Sequence, residues 1–260
     1  MDWVEPFYSR QSRWFGPPGI ADYDRESAAA IEQFCGPGKK RILELGAGSG
    51  GAAAAMADLG HDVLAIELSP VRAANARTLA EQPRAGSVTV LEANFYTASL
   101  PERFDLVCYW LGFGVGSDAD QRRLLRRVAR EWLAPGGCML LDVYLPWYWS
   151  RQAGEEQPFE AVQAVRRRLF DPLRCRFVEE WWPAGHPDER QAQSIRCYTP
   201  ADFLLLLDGT GLELRAVEIA GERLDPAGEH TNRWDALRDE DSFMAQLALA
   251  APDADSPALG

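Results

Sequence analysis

Apolar and polar positions along the chain follow two alternating periods. Short apolar runs at 41–45, 61–69, 87–95, 104–110 and 136–144 have the length of buried strands. Stretches of helical spacing separate them. Residues 51–59 are rich in alanine and stop at Gly60, and residues 70–82 open with Pro70 behind Ser69 as N-cap. Residues 117–133 start at Ser117 or Asp118 and carry an apolar stripe of Leu124, Leu125, Val128, Trp132 and Leu133. The five arginines of that segment fall on its other face and read as solvated surface. One more helix is expected near 22–35. Strands alternating with helices predict an α/β, doubly wound fold whose parallel sheet is covered on both faces.

The rhythm breaks after Tyr144. Two runs of strand character, 174–182 and 190–199, flank a Pro/Gly-rich turn and predict an antiparallel hairpin. A helix at 200–211, a strand at 212–220 and a closing strand at 242–250 then resume the earlier pattern. The expectation is one domain over 1–260, with a helical cover at 1–40 and an inserted cap at 145–199.

Composition narrows the function. The chain of 260 residues is 47% hydrophobic and 25% charged, as an ordinary globular protein is. Its net charge of -12 is the wrong sign for neutralising phosphates, so nucleic acid is not an expected partner. Residues 221–260 hold nine acids against three arginines, half of that net charge, so the acidity says little about a substrate. Five cysteines without a CxxC pair predict reduced thiols and a cytoplasmic protein. The N-terminus does not resemble a signal peptide, and no run of about 18 apolar residues predicts a membrane span. No cluster of His, Cys and carboxylate has metal-ligand spacing.

The chemistry-bearing segment is 41–51, RILELGAGSGG. Gly46, Gly48 and Gly50 follow a strand and precede a helix, where glycine permits a tight turn and close approach of a ligand. Gly46, Gly48 and Gly51 also satisfy GxGxxG, the dinucleotide pattern. Glu67, at the end of the second strand, is placed to accept both hydroxyls of a ribose. Glu44 decides between ligands: a carboxylate beside a pyrophosphate is unfavourable, whereas beside an ammonium and a sulfonium it is favourable.

On these residues the chain resembles the class I S-adenosylmethionine (SAM)-dependent methyltransferases. Glu44 with the three glycines is similar to their first motif, and Glu67 matches their second-strand acid. Asn94 stands where the family usually has an aspartate facing the adenine amine, and Phe95 would flank the ring. FDLVCYW at 104–110 is similar to the fourth-strand motif beside the methyl group, and 132–144 resembles the fifth-strand turn and strand. The resemblance implies a Rossmann-like, mostly parallel sheet of about seven strands with an antiparallel last strand. It also implies SAM as cofactor with S-adenosylhomocysteine (SAH) as product, and an N-terminal cover that would use Tyr8, Arg13 and Trp14.

Trp110 and Phe113 leave the fourth strand at the end where such sheets bind ligands. Trp147, Trp149, Arg196 and Tyr198 are candidates for holding an acceptor, with the tryptophans forming a slot for a planar molecule. Tyr109, Tyr144, Tyr148 and His186 are candidates to orient or deprotonate it. The expected activity is methyl transfer to a small molecule by a monomer or homodimer. The alternatives are a SAM-binding enzyme of other chemistry such as SAM cyclisation, a nicotinamide-dependent oxidoreductase, and a binding protein without turnover.

Overall fold

The computed structural model describes residues 2–12, 14, 19–229 and 237–251. Two helices, α1 (Val4–Gln11) and α2 (Asp22–Cys35), precede the sheet. There follow β1 (Arg41–Leu45), α3 (Gly51–Asp58), β2 (Asp62–Glu67), α4 (Pro70–Ala80), β3 (Ser87–Glu92) and β4 (Phe104–Tyr109). Next come α5 (Asp118–Arg127), a π-type turn over Val128–Trp132, and β5 (Leu133–Tyr144). After a short α6 (Pro146–Arg151), strands β6 (Glu156–Phe159), β7 (Ala164–Asp171), β8 (Arg176–Pro183) and β9 (Gln191–Arg196) form a separate antiparallel sheet in that order. The chain returns through α7 (Pro200–Leu207), β10 (Leu212–Ile219), β11 (Glu222–Leu224) and β12 (Ser242–Leu249).

The main sheet runs β11-β10-β12-β5-β4-β1-β2-β3. Strands β1 to β5 pair in parallel, and β12 lies antiparallel between β5 and β10. Eight strands replace the expected seven because Glu222–Leu224 folds back on β10 as a short edge. Alternation along each buried strand supplies two cores. Leu43, Val107, Met139 and Leu141 pack with Leu124 of α5 and Phe203 of α7. Ile42, Leu106 and Leu140 pack on the opposite side with Ile31 of α2 and with Ala53 and Met56 of α3. Glu44 shares the side of Ile42, and therefore faces α2.

The helix expected to reach 133 ends early: α5 gives way at Val128, and Trp132 is fully buried. The arginines of α5 depart further from expectation, because they act as staples. Arg122 donates to the carbonyls of Leu205 and Asp208 at the end of α7, and Arg126 donates to that of Gly209. The Arg127 guanidinium donates to the Phe95 carbonyl at 2.5 Å and to that of Ala98, and lies 4.6 Å from the Trp132 ring. Arg127→Ala should cost about 2 kcal/mol, a fall in Tm of roughly 4–8 °C, since two hydrogen bonds from a charge and a cation–π contact are lost together. A thermal melt checks it; an unchanged Tm would make Arg127 an idle surface residue.

The cysteine expectation is corrected for two of five. Cys35, at the end of α2, and Cys138, on β5, are joined as a disulfide, and Cys108, Cys175 and Cys197 are free thiols. A separation of 103 residues hides that pairing from spacing rules.

The second sheet makes cores of its own. Phe177, Ile195 and Cys197 pack with Tyr144 and Trp149, while Ala164 and Trp181 pack with Phe7 of α1. It joins the main body through 114–116, where Val115 bridges Ile195 and Arg176 donates to the carbonyls of Gly114 and Gly116. No helix among the described residues is long and apolar enough to cross a membrane.

Candidate functional site

A cavity of about 620 Å³ opens at the C-terminal ends of β1, β2 and β4. Its walls come from α1, α2, the turn after β1, the loop after β3 and the turn after β4.

The turn after β1 passes through left-handed conformations at Gly46, Gly48 and Gly50, with φ of 65°, 58° and 84°. Its amides are tied down from β2. Ala47 N–H donates to the Ile66 carbonyl at 2.9 Å, and Gly48 N–H donates to Glu67 Oε2 at 2.8 Å. The other Glu67 oxygen accepts from Ser69 N–H at 2.7 Å, so one buried carboxylate clasps two turns. Burial raises its pKa, against the pull of those amides and of Arg72.

Glu44 is 2% exposed, and its Oε2 has no hydrogen-bond partner among the described residues. Burial and then the neighbouring carboxylates of Asp24 and Glu67 push its pKa well above the ordinary range. Asp24, at 5% exposure, accepts from Ala21 N–H at 2.8 Å at the start of α2. A Cβ on Gly51 would lie 2.1 Å from Asp24 Oδ2, so the third glycine of the GxGxxG pattern makes room for a carboxylate.

Tyr109 lies against Gly46 and Gly112, where added Cβ atoms would meet its ring at 3.1 and 2.5 Å. Burial holds its phenol well above the usual range, so it stays protonated. Leu111, with φ of 53°, borders the same turn; its N–H donates to Asp142 and its carbonyl accepts from the Tyr144 hydroxyl. Burial lifts the Asp142 carboxyl to about 7.

Tyr8 closes the cavity from α1. The Arg72 guanidinium lies 4.6 Å from its ring, and its hydroxyl donates to Gln193 Oε1 at 3.0 Å. Gln193 in turn donates to Glu179, which also accepts from Trp181 Nε1. Arg72 donates to Ser12 and Gln11, and so pins α1 to α4. Burial pushes the Tyr8 phenol up to about 12.

Residues 42–137 match the family model of a methyltransferase domain. No curated protein matches the chain in sequence. Among solved structures, the chain is similar to the CcbJ methyltransferase of Streptomyces caelestis, with 23% identity and a TM-score of 0.71 over 96% of this chain and 97% of that one. It is also similar to SAM-bound CalS10, an amino pentose methyltransferase of Micromonospora echinaspora involved in calicheamicin biosynthesis, at 22% identity and a TM-score of 0.58 over 92% and 96%. The sugar N-methyltransferase KedS8 of Streptoalloteichus sp. ATCC 53650 is similar at 20% identity and a TM-score of 0.57 over 86% of each chain. Residues 42–137 form a methyltransferase domain, on a fold shared with SAM-dependent methyltransferases.

The site of this methyltransferase fits SAM on its own chemistry. The buried, unpartnered Glu44 oxygen suits an ammonium and would be uncompensated beside a pyrophosphate. Of the residues expected at the cofactor, Glu44, Gly46, Gly48, Glu67, Asn94, Phe95, Trp110 and Tyr8 border the cavity. Asn94 Oδ1 already accepts from Tyr96 N–H at 2.9 Å, which leaves it one free lone pair.

Other candidates are placed elsewhere. Gly50 faces α4, 2.8 Å from Ala76 by its missing Cβ. Trp14 stacks on Trp181, and Arg13 lies outside the described residues. Of the four catalytic candidates only Tyr109 borders the cavity. Tyr144 spends its hydroxyl on Leu111, and Tyr148 packs with Trp149. His186 sits in the turn after β8 with its side chain 63% exposed.

None of the acceptor candidates borders the cavity either. Phe113 is core between Tyr109 and Phe203, and Trp147 packs against the main core. Trp149 stacks on Phe177 at 4.0 Å. Tyr198 donates to Asp118, with which Arg196 pairs at 3.3 Å. The flat tryptophan slot does not form, because Trp149 packs in the core under the second sheet while Trp147 packs against the main core. Asp24, Tyr23, Ser69 and Leu111 border the cavity without having been read from the sequence. Asp24 reads there only as an acid in the first turn of a helix.

Proposed function

We propose that the chain N-methylates a small amine-bearing acceptor, using SAM held in the cavity between α1, α2 and the turn after β1. The observation that carries this reading is the buried Glu44 carboxyl group, which borders that cavity and whose Oε2 has no hydrogen-bond partner among the described residues. In the proposed arrangement Glu44 takes the ammonium of SAM and Glu67 takes the ribose hydroxyls. Phe95 and Asn94 take the adenine. When bound, SAM supplies a methyl group on a sulfonium, a good leaving group, so positioning provides most of the acceleration.

Tyr109 orients the acceptor. Its phenol is held protonated by burial, so it accepts a hydrogen bond from an amine N–H without acting as base. A neutral amine already carries its nucleophilic lone pair, which is why an amine suits this site better than a hydroxyl. The sugar N-methyltransferase and the amino pentose methyltransferase among the similar structures support the same class of acceptor. Residues 1–40 act as the cover and 145–199 as the acceptor-side cap; the Tyr8–Gln193 contact that ties them together supports this division. With its net charge of -12, the protein is taken to act without nucleic acid, as a monomer or homodimer.

A thermal-shift panel with SAM, SAH, NAD and NADP tests the cofactor, and transfer of labelled methyl to a set of amino sugars tests the acceptor. SAM and SAH should each raise the Tm. Stabilisation by NAD but by neither SAM nor SAH would overturn the reading.

A further inference from the structure

Four carboxylates border one cavity; Glu5 accepts from the Ser9 hydroxyl at 2.6 Å, and Asp24, Glu44 and Glu67 are not equally compensated. Glu67 accepts two backbone N–H groups and faces Arg72. Among the described residues Asp24 accepts from Ala21 N–H alone, and Arg25 is the cation near it. Glu44 has the Ala53 N–H against it, and otherwise meets Asp24 from α2 and Glu67 from β2. Tyr23 on α2 and Cys108 on β4 complete the titratable groups around Glu44, and both feel its charge.

Two buried acids without a cation between them do not both ionise at moderate cost. The chain nevertheless brings them together deliberately. Gly51 has no Cβ where Asp24 Oδ2 lies, and the alternation of β1 turns Glu44 toward α2. Glu44 borders the cavity, and its Oε2 is buried without a hydrogen-bond partner among the described residues.

We propose that Asp24 and Glu44 together seat the α-ammonium of SAM, and that this ammonium replaces a proton otherwise held by one of the two acids. The inference rests on the SAM reading and deepens it. The displaced proton passes to solvent, and the ammonium keeps its own three. A helix from the N-terminal cover thus supplies half of the amino-acid subsite, so α2 senses whether the cofactor is present. Affinity for SAH rises with pH through the range in which the pair loses its proton.

Isothermal titration with SAH and with 5′-methylthioadenosine, which lacks the amino-acid arm, tests the seat. Each titration is run in two buffers of different ionisation enthalpy. SAH binding to the wild-type protein should release a proton, seen as a buffer-dependent enthalpy, whereas methylthioadenosine should release none. Asp24→Asn should weaken SAH about tenfold or more, abolish the release and leave methylthioadenosine within twofold. Glu44→Gln should behave alike, which keeps the test open if one variant folds poorly.

The seat is overturned if wild-type SAH binding releases no proton, if Asp24→Asn binds SAH normally, or if both ligands weaken equally. Wild-type protein that binds neither ligand would overturn the cofactor reading itself.

Discussion

Glu67→Ala is expected to weaken SAH at least a hundredfold and to lower stability by about 3 kcal/mol, because each hydrogen bond to a buried carboxylate contributes roughly 1.5–3 kcal/mol. The carboxylate accepts from Gly48 at 2.8 Å and from Ser69 at 2.7 Å, so its removal orphans two amides and unties both cavity turns. In the proposed arrangement it also holds the ribose, and the affinity loss should exceed what the stability loss explains. Glu67→Gln keeps one acceptor oxygen but turns an NH₂ toward the second amide, and should fall between the two. Calorimetric titration with SAH and a thermal melt of each variant separate the effects. Wild-type affinity in Glu67→Ala would remove Glu67 from the cofactor site.

Gly50→Ala should cost about 2–5 kcal/mol, the sum of left-handed strain of roughly 1–2 and overpacking of roughly 1–3. Its φ is 84°, and the added Cβ would sit 2.8 Å from Ala76 Cβ and 2.9 Å from Ala76 Cα on α4. The backbone of a packed helix cannot yield as a side-chain tip can. Gly48→Ala provides the control in the same motif: φ is 58°, but the nearest atom is an Arg72 guanidinium nitrogen at 3.8 Å. That variant should show only the left-handed strain, about 1–2 kcal/mol. Thermal melts of the pair check the difference, and equal losses would show that contact with α4 contributes nothing. One glycine serves packing and the other serves approach to the cavity, although both belong to one short motif.

Much of the fold was legible because it rests on local rules. The N-caps show this. Ser69 accepts from Arg72 N–H and Ser117 forms a capping box with Asp120, as their positions before helical stretches indicate. Alternating strands and helices gave the parallel sheet, and the family resemblance gave the antiparallel last strand. The glycine turn with Glu44 and Glu67 was legible too, since the residues that shape it lie within a few positions of one another or one strand apart.

Some aromatic candidates pack in cores away from the cavity for a different reason. Trp149, Tyr198 and Phe113 are as suited to a pocket as to a core, and nothing within ten residues of each distinguishes the two. Contacts at long sequence distance decided it: Trp149 on Phe177, Tyr198 on Asp118, Phe113 on Phe203. The arginines of α5 were read as solvated because helical periodicity locates a polar face but not the carbonyls that other segments bring to it.

By itself, then, the sequence determined the order of elements, the glycine turn and the two acids proposed to hold the cofactor. Only the tertiary structure decided that Asp24 would stand against Gly51, that Tyr8 would reach Gln193, and that Cys35 would meet Cys138. Local propensity acts through neighbours along the chain, whereas these contacts join segments 27, 185 and 103 residues apart, which meet only once two cores have packed on opposite sides of one sheet.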